Sequence, residues 1–124
     1  MLKGLVFAAV VVVLGAASGV AAECPIESLD IEQVESALEA APSCAVAYRM
    51  MNACRRNSSG DVGFARIVIE KCERSFVTRG QSPRMKAYAD ERAACAKKYA
   101  GKQGTMYASF QATCEAGVAA KYAR

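Results

Sequence analysis

The chain has 124 residues, six cysteines, no histidine and no tryptophan, with 16 basic residues against 12 acidic and a formal net charge of +4. That length argues for one domain. The lack of histidine excludes histidine-ligated zinc, C-x-x-C-H haem attachment and a histidine-activated nucleophile.

Residues 1–22 read as a secretory signal peptide. Lys3 is the positive start, Gly4 to Leu14 is the apolar stretch, and Val20-Ala21-Ala22 is a small-residue cleavage site, so the mature chain is expected to begin at Glu23. The rival reading is a retained membrane anchor, because residues 4–22 carry no charge and approach the length a bilayer needs. Against it, Gly15, Ala16, Ala17, Ser18 and Gly19 make the second half only weakly apolar. Glu23 separates Cys24 from the small residues, whereas the acylated cysteine of a lipoprotein follows a small residue directly.

All six cysteines (Cys24, Cys44, Cys54, Cys72, Cys95 and Cys114) lie in the domain 23–124. An even count in a small exported chain is a disulfide framework. A mature part of this size buries a modest core, somewhat over about 60% of its chain surface. Loss of Lys3 leaves 15 basic residues against 12 acidic, a net charge of +3. Residues 23–41 hold six of the acids and no base, while residues 42–124 hold 15 bases and the other six acids. Two solvated faces of opposite sign explain this split without any partner.

Cys24-Pro25 opens the domain in an extended or turn conformation. Asp30 and Gln33 fit a capping box, and Ile31, Val34, Leu38 and Ala41 follow at helical spacing, predicting a helix over 29–41. Pro42 interrupts it. Ser43 can cap a second helix over 44–56, with Cys44, Ala47, Tyr48, Met51 and Cys54 on its apolar face and Arg55-Arg56 at its end. Asn57 to Gly60 is a turn by composition. Asn57 also begins an N-x-S pattern, which matters only in a eukaryotic host, and the leader looks bacterial. Asp61 can cap a third helix over 62–77, with Phe64, Val68, Cys72 and Phe76 in a row widened by Ala65 and Ile69.

After a loop at 78–81, Ser82-Pro83 starts a fourth helix by a serine cap and a first-turn proline. Met85, Tyr88, Ala89, Cys95, Ala96 and Tyr99 mark one face, and Lys97, Lys98 and Lys102 load its end. Gly101 and Gly104 bracket a turn. Thr105 can cap a fifth helix, with Tyr107, Phe110, Cys114, Gly117, Val118 and Lys121 along one side.

Geometry selects among the 15 connectivities that six cysteines allow. Cys44 and Cys54 stand about 15 Å apart along one helix, beyond the limit of about 7 Å for a disulfide. Folding the second and third helices antiparallel about residue 59 brings Cys44 within about 3 Å of axial register with Cys72, and leaves Cys54 about 12 Å away. Cys95 and Cys114 miss facing register by about 6 Å. Cys24 and Cys54 lie at one end of an antiparallel pair. The expected pairs are Cys24–Cys54, Cys44–Cys72 and Cys95–Cys114.

No constellation carries chemistry. Glu70 with Glu73, and Asp90 with Glu91, are carboxylate pairs, but adjacent residues point to different sides of a helix, and Lys71 and Arg74 flank the first pair. Met50-Met51 without histidine suits packing better than a soft metal. Basic residues among tyrosines could meet anionic envelope polymers or lipids rather than nucleic acid, because the chain is exported; an ordinary solvated surface also accounts for them.

The stretch Tyr88-Ala89-Asp90-Glu91-Arg92-Ala93-Ala94-Cys95, then Gly104-Thr105, then Cys114, resembles the C-terminal half of the LprI-type lysozyme-inhibitor family. The resemblance covers residues 88–114 and implies a small exported helical protein that inhibits a hydrolase. The chain departs from that family in lacking its usual tryptophan and in carrying extra cysteines upstream. No inhibitory residue is transferred.

The sequence therefore predicts an all-α, disulfide-stapled bundle of four to five helices. It is expected in the periplasm or outside the cell, without a permanent membrane anchor after cleavage. It is read as a non-enzymatic binding or structural protein of the bacterial envelope, with no catalytic residue, metal or cofactor. An inhibitor of lysozyme or another hydrolase is the second reading, and a small carboxylate-based hydrolase the third.

Overall fold

Three disulfides hold five helices together in the computed structural model, which describes residues 23–27, 30–77 and 82–124. The expected leader, its expected cleavage site and the expected loop at 78–81 lie outside the described residues. The helices are α1 (Ile31–Ala40), α2 (Cys44–Cys54), α3 (Gly60–Glu73), α4 (Pro83–Tyr99) and α5 (Thr105–Tyr122). The described residues contain no strand. Among them, no helix is long and apolar enough to cross a membrane.

Local signals set most boundaries. Asp30 Oδ1 accepts from the backbone N–H of Glu32 at 3.0 Å and of Gln33 at 3.4 Å, so it caps α1. The Gln33 side chain donates to Asp30 Oδ2 at 3.1 Å. Pro42 follows the end of α1, and Lys71 of α3 reaches across to close it. Its Nζ donates to the carbonyls of Glu39 at 2.9 Å and Ala41 at 2.8 Å, satisfying groups that no helical N–H can reach. Ser43 Oγ caps α2 through Val46 N, and Ser82 Oγ caps α4 through Met85 N with Pro83 in the first turn. Gly101 and Gly104 take φ of 75° and 114°, the left-handed region that lets the chain reverse between α4 and α5. Thr105 is the first residue of α5 rather than its cap, a place held by Gly104.

Helix α3 departs from expectation at both ends. It starts at Gly60, not 62, and Asp61 is not its cap. Asp61 is fully buried, and its carboxylate accepts from Arg56 N (3.0 and 3.2 Å), Ser58 N (3.2 Å) and Ser109 Oγ (2.6 Å). It therefore ties the α2–α3 turn to α5. Holding Arg56 N–H in the turn also explains why α2 stops at Cys54. At the other end α3 stops at Glu73, short of the expected 77, and Phe76 leaves the helix. Its ring meets Tyr88 edge-on at 4.9 Å and Tyr122 at 6.0 Å, so the aromatic contacts hold it where the helix does not.

Helices α3 and α5 form the central pair. Helix α1 packs on α2 and α3, α2 also on α5, and α4 on α5. The core is built from Val34, Leu38, Ala47, Met51, Phe64, Val68 and Cys72, with Ala116 and Ala119 of α5. The buried side of α5 is Ser109, Thr113, Ala116, Ala119 and Ala120, not the side of Tyr107, Phe110 and Cys114. Small side chains let α5 approach α3 closely, and the two hydroxyls find partners. Ser109 binds Asp61, and Thr113 Oγ1 donates to the carbonyl of Ser109 at 2.9 Å. The larger apolar side chains of α5 instead flank α4 and α2. On α4, Tyr88 and Cys95 are buried while Ala89 is exposed.

The disulfides join Cys24 to Cys54, Cys44 to Cys72 and Cys95 to Cys114, with Cα–Cα distances of 4.7, 4.7 and 5.8 Å. They tie the N-terminal segment to the end of α2, α2 to α3, and α4 to α5. No cysteine is free among the described residues, the state of a chain that matures in an oxidising compartment.

Candidate anion-binding groove

The carboxylates flagged by sequence are each committed to a structural contact. Glu70 pairs with Arg66 at 3.1 Å and Asp90 with Lys86 at 2.7 Å, both exposed pairs at i,i+4 spacing. Glu91 accepts from Lys121 at 2.9 Å and from Tyr122 Oη at 2.8 Å, and these bonds hold its carboxyl below the ordinary value. Glu73 turns inward. It accepts from Tyr88 Oη at 2.6 Å and Arg92 Nη1 at 3.0 Å, while Arg92 Nη2 reaches Glu115 at 3.3 Å. This network clamps α4 onto α3 and α5. Burial, then the bond to Glu73, push the Tyr88 phenol far above its ordinary value. Arg92 Nε is buried without a partner. Each of the four carboxylates is thus drawn to a different cation: Glu70 to Arg66, Glu73 to Arg92, Asp90 to Lys86 and Glu91 to Lys121.

Met51 is buried in the core and Met50 packs on its edge. Among the described residues no three carboxylates, cysteines or histidines cluster in a way that could hold a metal. A cavity of about 180 Å³ beside Cys24–Cys54 is walled by Ile31, Val34 and Phe64, and its one carboxylate is Asp61, already bonded on both oxygens.

A wider groove of about 440 Å³ lies where α2 and α5 meet the end of α4. Tyr48, Asn52 and Arg55 line it from α2 and its C-cap, Lys98 and Tyr99 from α4, and Phe110, Thr113 and Cys114 from α5. No carboxylate is among them. The Cys95–Cys114 disulfide fixes α4 against α5 here, and the Tyr99 and Phe110 ring centroids lie 6.0 Å apart. Arg55 Nη1 donates to Thr113 Oγ1 at 3.3 Å, which steadies the guanidinium at the groove wall. Asn52 donates its side-chain N–H to the carbonyl of Tyr48 at 3.1 Å, so the amide oxygen is the end left to accept. Tyr48 lies against Gly117, where a Cβ would stand 3.1 Å from the phenol oxygen. Beyond the groove, Tyr107 meets Phe110 at 6.2 Å and carries Lys102 over its ring at 5.3 Å. Lys98 sits 5.5 Å from the centre of the Tyr99 ring. The result is an aromatic lining with positive charge beside it and no carboxylate among its lining residues.

The sequence singled out Tyr48, Tyr99, Phe110 and Lys98 only as face or end-of-helix residues, and Arg55 only as a helix-terminal charge. Asn52 and Thr113 were not singled out. The signal was present in the spacing. Tyr48, Asn52 and Arg55 fall at i, i+4 and i+7 on one stripe, and a Cys95–Cys114 bond places the end of α4 beside Phe110. No family model matches the chain, and searches of curated proteins and of solved structures return no match.

Proposed function

We propose that this chain is an exported, non-enzymatic binding protein of the bacterial envelope that holds anionic polymers in the groove between α2, α4 and α5. The observation that carries the reading is the pairing of Arg55 and Lys98 with three half-buried aromatic rings in a groove lined by no carboxylate. Export is supported by the apolar leader in the sequence and by the three disulfides, and the periplasm or the cell exterior is the compartment proposed. The excess of bases over acids in residues 42–124 supplies a long-range field of the right sign.

Retention of the oxidised chain 23–124 on immobilised wall polymer, across a series of salt concentrations, tests the reading. Retention at low salt that falls steeply toward physiological salt, where screening acts over about 8 Å, is the expected result. No retention at low salt, or retention unchanged by salt, would overturn it.

A second reading, inhibition of a cationic hydrolase such as lysozyme, draws on one observation. Among the described residues Glu32, Glu35 and Glu39 of α1 form no ion pair, and they give α1 a negative charge that a basic enzyme would complement. A lysozyme turbidity assay tests it. Unimpeded lysis at excess protein would remove it.

A further inference from the structure

Resting on the polyanion reading above, we infer that the groove recognises the sugar ring as well as the charge: its ligand is an acidic glycan, a pyranose chain bearing carboxylates. A site for bare charge, such as a polyphosphate or a lipid headgroup, needs cations alone. It gains nothing from lining the site with part-exposed aromatic side chains. Here Tyr48, Tyr99 and Phe110 are each only half-buried and converge on one groove. Their placement is fixed by structure, since Gly117 makes room for Tyr48 and the Cys95–Cys114 bond holds the strand of rings across α4 and α5. A pyranose presents an apolar face of C–H groups and a rim of hydroxyls. The C–H face suits the rings, which offer apolar area at little conformational cost. The rim suits the free amide oxygen of Asn52, a hydrogen-bond acceptor. The carboxylate suits the Arg55 fork, already oriented by Thr113 and matched to a planar two-oxygen anion.

Calorimetric titration of the oxidised chain 23–124 at low salt with four probes tests this. The probes are a short oligogalacturonate, a polyglutamate of equal charge, a neutral oligosaccharide and phosphatidylglycerol vesicles. Oligogalacturonate is expected to bind about 10-fold more tightly than polyglutamate. Tyr99→Leu should remove that advantage and Tyr99→Phe should keep it, while Arg55→Gln weakens both polyanions. If Tyr99→Leu fails to fold, Tyr48→Leu takes its place with the same expectation. Equal affinity for oligogalacturonate and polyglutamate, unmoved by loss of the ring, would overturn the sugar inference and leave the polyanion reading standing. Vesicle binding tighter than oligogalacturonate would overturn it in favour of a membrane surface. Failure of every anionic probe would sink the polyanion reading itself.

Discussion

Replacing Asp61 by asparagine separates two roles for one residue. A helix cap tolerates the change, because Asn and Asp are equivalent at that position, so a capping role predicts a loss of a few tenths of a kcal/mol at most. The buried anchor seen here predicts much more. The two carboxylate oxygens of Asp61 take hydrogen bonds from three donor groups, Arg56 N, Ser58 N and Ser109 Oγ. An amide has one acceptor oxygen. If that oxygen replaces Oδ2, the new NH₂ faces Arg56 N–H, a donor against a donor at about the same 3.0 Å spacing. If it replaces Oδ1, the NH₂ faces Ser58 N–H instead. In the first orientation Arg56 N–H keeps its 3.2 Å bond to the oxygen but is crowded by the new NH₂, and in the second Ser58 N–H loses its partner; either costs about 1–3 kcal/mol, and the surviving bonds lose the added strength of a charged acceptor. Relief from burying a charge offsets part of this. The net expectation is a loss of about 2–3 kcal/mol, or roughly 10–20 °C in Tm for a domain of this size. Urea unfolding of the fully oxidised protein, followed by circular dichroism, measures it. A loss below about 0.5 kcal/mol would refute the anchor role of Asp61.

Removing the central disulfide by Cys44→Ser with Cys72→Ser opens a loop of 28 residues, and chain entropy gives an expected loss of about 3.6 kcal/mol, read by the same urea method. Gly63→Ala puts a methyl group against the flexible carboxylate end of Glu35, which can swing away. The gain in helix propensity should then leave the protein unchanged or up to about 1 kcal/mol more stable, and a clear loss would show that Glu35 is held in place. The raised Tyr88 phenol makes a prediction at high pH. Above its ordinary value of 10.0 the unfolded chain releases this proton while the folded chain keeps it, so stability falls as pH rises through that point. Tyr88→Phe should make the stability curve flatter above pH 10.0 than in the parent, and parallel curves would refute the shift.

What the sequence made legible follows the strength of local signals. Ser43, Asp30 and Ser82-Pro83 placed three helix starts within two residues, because a cap is a short-range hydrogen bond. Helical rise and antiparallel packing singled out Cys44–Cys72, Cys24–Cys54 rested on the two cysteines sharing one end of an antiparallel pair, and Cys95–Cys114 was left marginal by axial register; all three form. Asp61 was misread because it turns back onto Arg56 N and Ser58 N instead of forward onto α3, and because nothing near it in sequence signals its third partner, Ser109, across the bundle. The side of α5 that periodicity picked out is not the buried one. Periodicity favours large apolar residues, yet close approach to α3 selects Ser109, Thr113, Ala116 and Ala119, and sends Phe110 outward. The groove lay beyond sequence reading because it is assembled from three helices, and only the fold shows that Arg55 leans on Thr113 rather than simply ending α2.

The measurement that bears most directly on the account is a map of backbone amide shifts in ¹⁵N-labelled oxidised chain 23–124, titrated with oligogalacturonate at low salt. With the glycan in the groove, the largest shifts fall at Tyr48, Asn52, Arg55, Lys98, Tyr99 and Phe110, and they collapse as salt is raised. Shifts centred instead on Arg49, Arg74 and Arg124 around the start of α2, or no shifts at all, would contradict it.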